Sequence, residues 1–154
     1  MPGIIVGIDG SAHSRRALEW AVDEAAIRHM PLTVLTVNQA LASCWTGEPV
    51  SYSGDQELTK KVRQAAQEET DSVLKKTNEN SRPPSVVVRA VAGLPAKELL
   101  NASGDADMVV VGARGADGVK RLLLGSVSVA VTHHARCPVV VIPAGNPQQA
   151  YVGP

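Results

Sequence analysis

Five short aliphatic runs, separated by longer stretches of helical periodicity, set the tightest limit on how this chain can fold. The runs cover residues 4–8, 32–37, 86–91, 108–111 and 139–142. The first, fourth and fifth (IIVGI, MVVV, VVVI) are continuously apolar rather than alternating. That pattern predicts strands covered on both faces, as in a parallel sheet. Residues 14–30 place Leu18, Ala21, Val22 and Ala25 on one helical face. Residues 58–77 carry Leu58, Val62, Ala65, Ala66, Val73 and Thr77 at helical spacing, with a break at Glu69. A short helix is expected over 97–102, after Pro95, and a last one over 126–134 with Val127, Ala130 and Val131. The order is strand, helix, strand throughout. Right-handed crossovers then place helices on both faces of the sheet, which is a doubly wound α/β fold.

The 154 residues fit one domain, expected over 1–143. Residues 144–154, with Gly145, Pro147, Gly153 and Pro154, read as a flexible tail. Residues 40–54 (ALASCWTGEPVSYSG) read as a long loop carrying Trp45 and Tyr52. With no Phe, two Trp and two Tyr, the core must be aliphatic.

Lys plus Arg equals Asp plus Glu at 15 each, and no basic stripe stands out. This argues against nucleic acid or an anionic membrane as a general partner. No apolar run approaches the ~18 residues that span a bilayer. Cys44 and Cys137 have no metal-site spacing, and Cys137 opens an apolar run as a buried thiol would. The chain passes from Met1-Pro2-Gly3 straight into its first strand, so a cytoplasmic protein is expected.

The chemistry concentrates in Gly112-Ala113-Arg114-Gly115, followed after nine residues by Gly125-Ser126-Val127-Ser128. This segment joins the end of the fourth strand to the start of the last helix. Glycines let backbone approach a ligand closely, and a helix start offers unpaired amides and the positive end of the macrodipole. Ser126 and Ser128 add hydroxyls. A lone glycine-rich loop is more often a turn and a cap. Here three glycines, two hydroxyls and a strand-to-helix junction coincide, which describes a phosphate cradle without a lysine. It is not a Walker A loop, because Lys120 is followed by Arg121 rather than Ser or Thr. Nor is there a G-x-G-x-x-G after the first strand or a G-x-S-x-G elbow. Asp9, Ser11 and His13 are triad residue types, but at this spacing they read as a helix start capped by Ser11 or Ser14. The adjacent His133 and His134 point apart on a helix and do not form a metal pair.

The spacing Gly112-x2-Gly115-x9-Gly125-Ser126 resembles the ATP-binding pattern of universal stress proteins, G-x2-G-x9-G-[ST], at every fixed position. Ile5-Val6-Gly7-Ile8-Asp9-Gly10-Ser11, Leu122-Leu123-Leu124-Gly125-Ser126-Val127 and Cys137-Pro138-Val139-Val140-Val141-Ile142 resemble that family's first strand, helix entry and closing strand. The resemblance implies a five-stranded parallel sheet in the order 3-2-1-4-5. It implies ATP as ligand, with Mg2+ carried on the phosphates. Asp9 would contact ribose or base, and Val37 would lie against adenine. Gly112, Arg114 and Gly115 would line ribose and phosphates, and Gly125, Ser126, Val127 and Ser128 would hold the phosphates. Arg114 departs from members that carry His there. The resemblance also implies a homodimer through residues 139–142, an apolar edge without charge. A sensor or regulator is expected, since Asp9 and Arg114 are the only charged residues this reading puts in the crevice. A slow ATPase, or a binder of AMP or cyclic AMP, are the alternatives.

Overall fold

The structure, a computed structural model, describes residues 3–39, 53–113 and 125–143. Its elements are β1 (Ile4–Ile8), α1 (Ala12–Arg28), β2 (Leu32–Asn38), α2 (Ser53–Lys76), a 3-10 turn (Glu79–Ser81), β3 (Val86–Ala92), α3 (Pro95–Ser103), β4 (Met108–Gly112), α4 (Ser126–His134) and β5 (Val139–Ile142). All five strands are parallel, in the order β3-β2-β1-β4-β5. Val6 pairs with Val34 on one side and with Val110 on the other, so β1 lies at the centre of the sheet. The first two crossovers move one way from β1 and the last two move the other way. With a constant hand, that reversal puts α1 and α2 on one face and α3 and α4 on the opposite face.

Each face has its own aliphatic core. On the α1–α2 side Ile4, Val6 and Ile8 of β1 pack with Ala17, Leu18, Ala21, Val22 and Ala25 of α1, together with Leu32, Val34 and Val110. The expected helical face of α1 is therefore the buried one. Half-buried Trp20 packs on the same cluster, as a structural side chain. On the other side Leu35, Leu99, Val109, Val111 and Val131 form the second core, flanked by Val37, Val127 and Cys137. Each buried Val or Leu side chain contributes about 1.5–3 kcal/mol.

The continuous apolar runs separate into three cases. β4 is buried from Met108 to Val111, as expected of a strand covered on both sides. β1 alternates between buried and half-buried positions. Every residue of β5 is half-buried, because β5 is an edge strand. Apolar continuity thus marked a parallel strand without marking its depth.

Helix boundaries differ from the sequence reading at their starts. α1 begins at Ala12 rather than residue 14, because Ser11 is the cap: its side chain accepts from the Ser14 amide. α1 ends at His29, which takes a left-handed conformation (φ 54). α2 begins at Ser53, so the last two residues of the expected 40–54 loop are helical. α3 begins at Pro95 itself, whose missing N–H costs nothing in a first turn. The Lys60, Lys61, Arg63, Lys75 and Lys76 face of α2 is exposed. Cys137 is half-buried rather than fully buried, and burial is the main reason its thiol pKa lies above the ordinary value. Residues 40–52, including Cys44, Trp45 and Tyr52, and the expected tail 144–154 lie outside the described residues.

Gly112 ends β4 where α1 crosses it. A Cβ built on Gly112 would stand 3.0 Å from the His13 carbonyl oxygen and 3.1 Å from its carbon. These are backbone atoms of a helix and cannot swing aside. Gly112→Ala is therefore expected to destabilise the chain by about 1–3 kcal/mol, the usual cost of overpacking. Urea unfolding followed by circular dichroism measures it; a midpoint equal to wild type would show that the helix yields freely.

Candidate functional site

The strand order reverses between β1 and β4, so the carboxyl ends of these two neighbouring strands lead to helices on opposite faces of the sheet. Open α/β sheets form their ligand crevice at such a point. On the β1 side the backbone is fixed by a closed set of short bonds. The Ser11 amide donates to Asp9 Oδ1 (2.9 Å) and the Asp9 amide donates to Ser14 Oγ (3.2 Å). Ser14 Oγ in turn donates to the Ser11 carbonyl (3.1 Å). Gly10, between Asp9 and the cap, has φ +82, a conformation costly for a residue with a side chain. Asp9 is exposed and stands at the rim.

On the β4 side, the Gly125 amide donates to the Ala113 carbonyl (2.5 Å). The start of α4 is thereby tied to the end of β4 across eleven intervening residues, 114–124. Arg114 and Gly115, both expected in the site, belong to that segment and lie outside the described residues. Gly125 is the N-cap of α4 in an extended conformation (φ −71, ψ 166) and offers no side-chain cap; the first turn contains no acidic residue. The amides of Ser126, Val127 and Ser128 have no intrahelical acceptors, as in any first helical turn. Ser126 is exposed, and Val127 is half-buried against the second core.

Ser128 has a different position from its neighbour. It is buried, and its hydroxyl donates to the Gly112 carbonyl at 2.5 Å. Its hydrogen thus serves the junction of β4 and α4. Val37 lies on β2, one residue beyond the Ile8–Thr36 pair, half-buried on the α3–α4 face. Next to it, buried Asn38 donates through Nδ2 to Thr59 Oγ1 of α2 (3.2 Å), and its carbonyl accepts from the Gly93 amide (2.9 Å).

The structure therefore brings Gly112, Gly125, Ser126 and Ser128 together, sets Asp9 on the adjoining strand's loop, and puts Val37 one strand further along. The sequence reading gave no site role to His13, whose backbone packs on Gly112. Its signal was the Ser11 cap, which makes His13 a first-turn residue of α1. The chemistry on offer fits a phosphorylated ligand: first-turn helical amides with an exposed hydroxyl at Ser126, no acid in the first turn of α4, and apolar surface at Val37. Among the described residues no group of His, Cys, Asp and Glu is arranged to hold a metal ion. No helix among them is long and apolar enough to cross a membrane. His133 and His134 at the far end of α4 are both exposed, with ring centroids 6.2 Å apart.

Behind the β1 loop, Arg15 Nη2 donates to Ser72 Oγ of α2 (3.1 Å) and Arg15 Nε pairs with Glu19 at 3.6 Å. Glu69, the break in the apolar stripe of α2, is half-buried beside them. Burial raises its carboxyl pKa, Arg15 lowers it and Asp9 raises it, with burial the largest effect. The folded chain thus binds this proton more tightly than the unfolded chain. The associated stability is fully present below the unfolded pKa and is lost as pH rises through the folded one. Glu69→Gln, neutral throughout, should be more stable than wild type at pH 7. That advantage should vanish below about pH 4, where unfolded glutamate is protonated too. Urea midpoints at the two pH values check this; an equal offset at both would contradict it.

Comparison with known proteins agrees with the fold. The family profile described as the universal stress protein family matches residues 2–143. A universal stress protein of Mycobacterium tuberculosis is 36% identical over 151 residues, covering 92% of this chain and 48% of that protein. One from Mycolicibacterium smegmatis is 34% identical over 152 residues, covering 97% of this chain and 50% of its own. The chain spans about half the length of these curated relatives. Among solved structures, a universal stress protein of Lactobacillus plantarum superposes with a TM-score of 0.70 at 24% identity, over 92% of this chain and 97% of its own. A universal stress protein in complex with cAMP gives 0.65 at 23% identity, over 94% and 98%. One from Archaeoglobus fulgidus in complex with dAMP gives 0.58 at 23%, over 92% and 98%. By its sequence and by the order of its strands, the chain belongs to the universal stress protein family.

Proposed function

We propose that the chain binds an adenine nucleotide at the crevice between β1 and β4, with ATP as the first-choice ligand, and acts as a sensor or regulator. The observation that carries the reading is the uncapped, acid-free start of α4, tied to the end of β4 beside Gly112. First-turn amides have no acceptor within their own helix and can donate to phosphate. Mg2+ arrives on the phosphates. Val37 takes the adenine face and Asp9 the ribose or base, with Arg114 and Gly115 completing the lining. Two structural relatives are in complex with cAMP and dAMP, which supports the adenine class and keeps monophosphates as competitors for ATP. A competition series with AMP, cAMP and ATP ranks them.

Regulation is favoured over turnover. Hydrolysis needs a group that positions water at the γ-phosphate. Of the residues the sequence assigned to the crevice only Asp9 and Arg114 carry charge, and Asp9 already accepts from the Ser11 amide. The protein would act in the cytoplasm as a homodimer. β5 pairs with β4 alone among the described strands, and its other edge carries Val139–Ile142 without charge. Light scattering at tens of micromolar should give twice the chain mass; a clean monomer would contradict the pairing.

Ser126→Ala tests the phosphate placement. Loss of one hydrogen bond to a charged group costs about 1.5–3 kcal/mol, so ATP should bind about 10- to 100-fold more weakly by calorimetry. Alanine favours helix, so folding should persist. Adenosine, which lacks phosphate, should bind both proteins equally. Unchanged ATP affinity in a folded variant would refute the placement.

A further inference from the structure

His13 is the second residue of α1 and is half-buried. Its Cβ stands 3.4 Å from the Cβ position of Gly112, so its side chain starts beside the end of β4. In an α-helix the Cα–Cβ bond tilts toward the helix N-terminus. The N-terminus of α1 follows directly on the end of β1, at the rim where the crevice opens. The Cα–Cβ bond of His13 therefore points along α1 toward the rim. Among the described residues it has no hydrogen-bond or ionic partner. Among the described residues, the charged groups around this turn are Asp9 before α1, Arg15 and Arg16 on α1, and Glu69 on α2. β4, β5 and the first turn of α4 bring none.

We propose that His13 contacts the phosphates of the nucleotide as a cation and makes binding proton-linked, so that the chain holds phosphorylated ligand more tightly as pH falls. This rests on the nucleotide reading above. Its physical basis is that histidine is the side chain whose charge ordinarily changes between about pH 5 and 8. Protonation adds a full positive charge to the ring opposite the phosphate, a Coulomb attraction that the neutral ring lacks. Asp9 and Glu69, as carboxylates, change charge at lower pH, and the arginines keep theirs.

The test is calorimetry of the full chain with ATP and with adenosine at pH 6 and pH 8. Wild type is compared with His13→Gln and His13→Lys. Taking variant-to-wild-type ratios at each pH cancels the protonation of ATP itself. His13→Gln should bind ATP about tenfold more weakly than wild type at pH 6, the effect of one charged hydrogen bond, and about equally at pH 8. His13→Lys should keep tight binding at both pH values, and adenosine should not distinguish the three proteins. A Gln-to-wild-type ratio independent of pH, or an equal loss for adenosine, overturns the role of His13 and leaves the nucleotide reading standing. Absence of any ATP binding by wild type overturns both.

Discussion

Gly112 is held from two directions, and the crevice depends on that grip. Its carbonyl accepts from the buried Ser128 hydroxyl of α4, and a Cβ on it would meet the His13 backbone of α1. One residue thus joins the helix that follows β1 to the helix that follows β4, across the point where the strand order reverses. Any side chain there would push α1 outward from the sheet. The Gly125 amide on the Ala113 carbonyl adds a second tie at the same level. With both ends fixed in this way, the first-turn amides of α4 hold one defined position.

Everything below that level is aliphatic packing. Two cores, one on each face of a five-stranded sheet, are built from Ile, Val, Leu and Ala. Polar groups that enter the interior are satisfied. Thr70 returns its hydroxyl to the Ala66 carbonyl, Ser103 to Leu100, and Asn38 reaches Thr59. Among the described residues no buried side-chain polar atom lacks a partner. The first-turn amides of α4, which have no acceptor within their own helix, contrast with this satisfied set of side chains.

Much of this was legible in the sequence, for reasons that can be named. The five strands were read from apolar runs because parallel strands need apolar side chains on both faces. α4 was placed without error because Gly125 and the serines mark a helix start. The strand order came from resemblance, since periodicity cannot rank strands, and the structure agrees with it. What escaped was local and geometric. Ser11 rather than Ser14 caps α1, a choice set by Gly10 turning the chain at positive φ. Ser128 and Ser126 look alike in sequence, yet two positions along a helix turn one toward the sheet and the other toward solvent. The place of His13 depends on a contact between α1 and β4 that sequence spacing does not encode. The break at Glu69 was visible as an interruption, but the half-buried carboxyl behind the Asp9 loop was not.

The central claim is that nucleotide sits between β1 and β4 with its phosphates on the start of α4. Amide NMR during an ATP titration addresses it most directly, because the proposed contacts are largely backbone amides. The account predicts saturable shifts at Gly10, Ser11, Gly112 and Ser126 to Ser128, with Ala25 of α1 and Val73 of α2 unmoved. Shifts that saturate elsewhere on the sheet and leave Ser126 to Ser128 unchanged would contradict it.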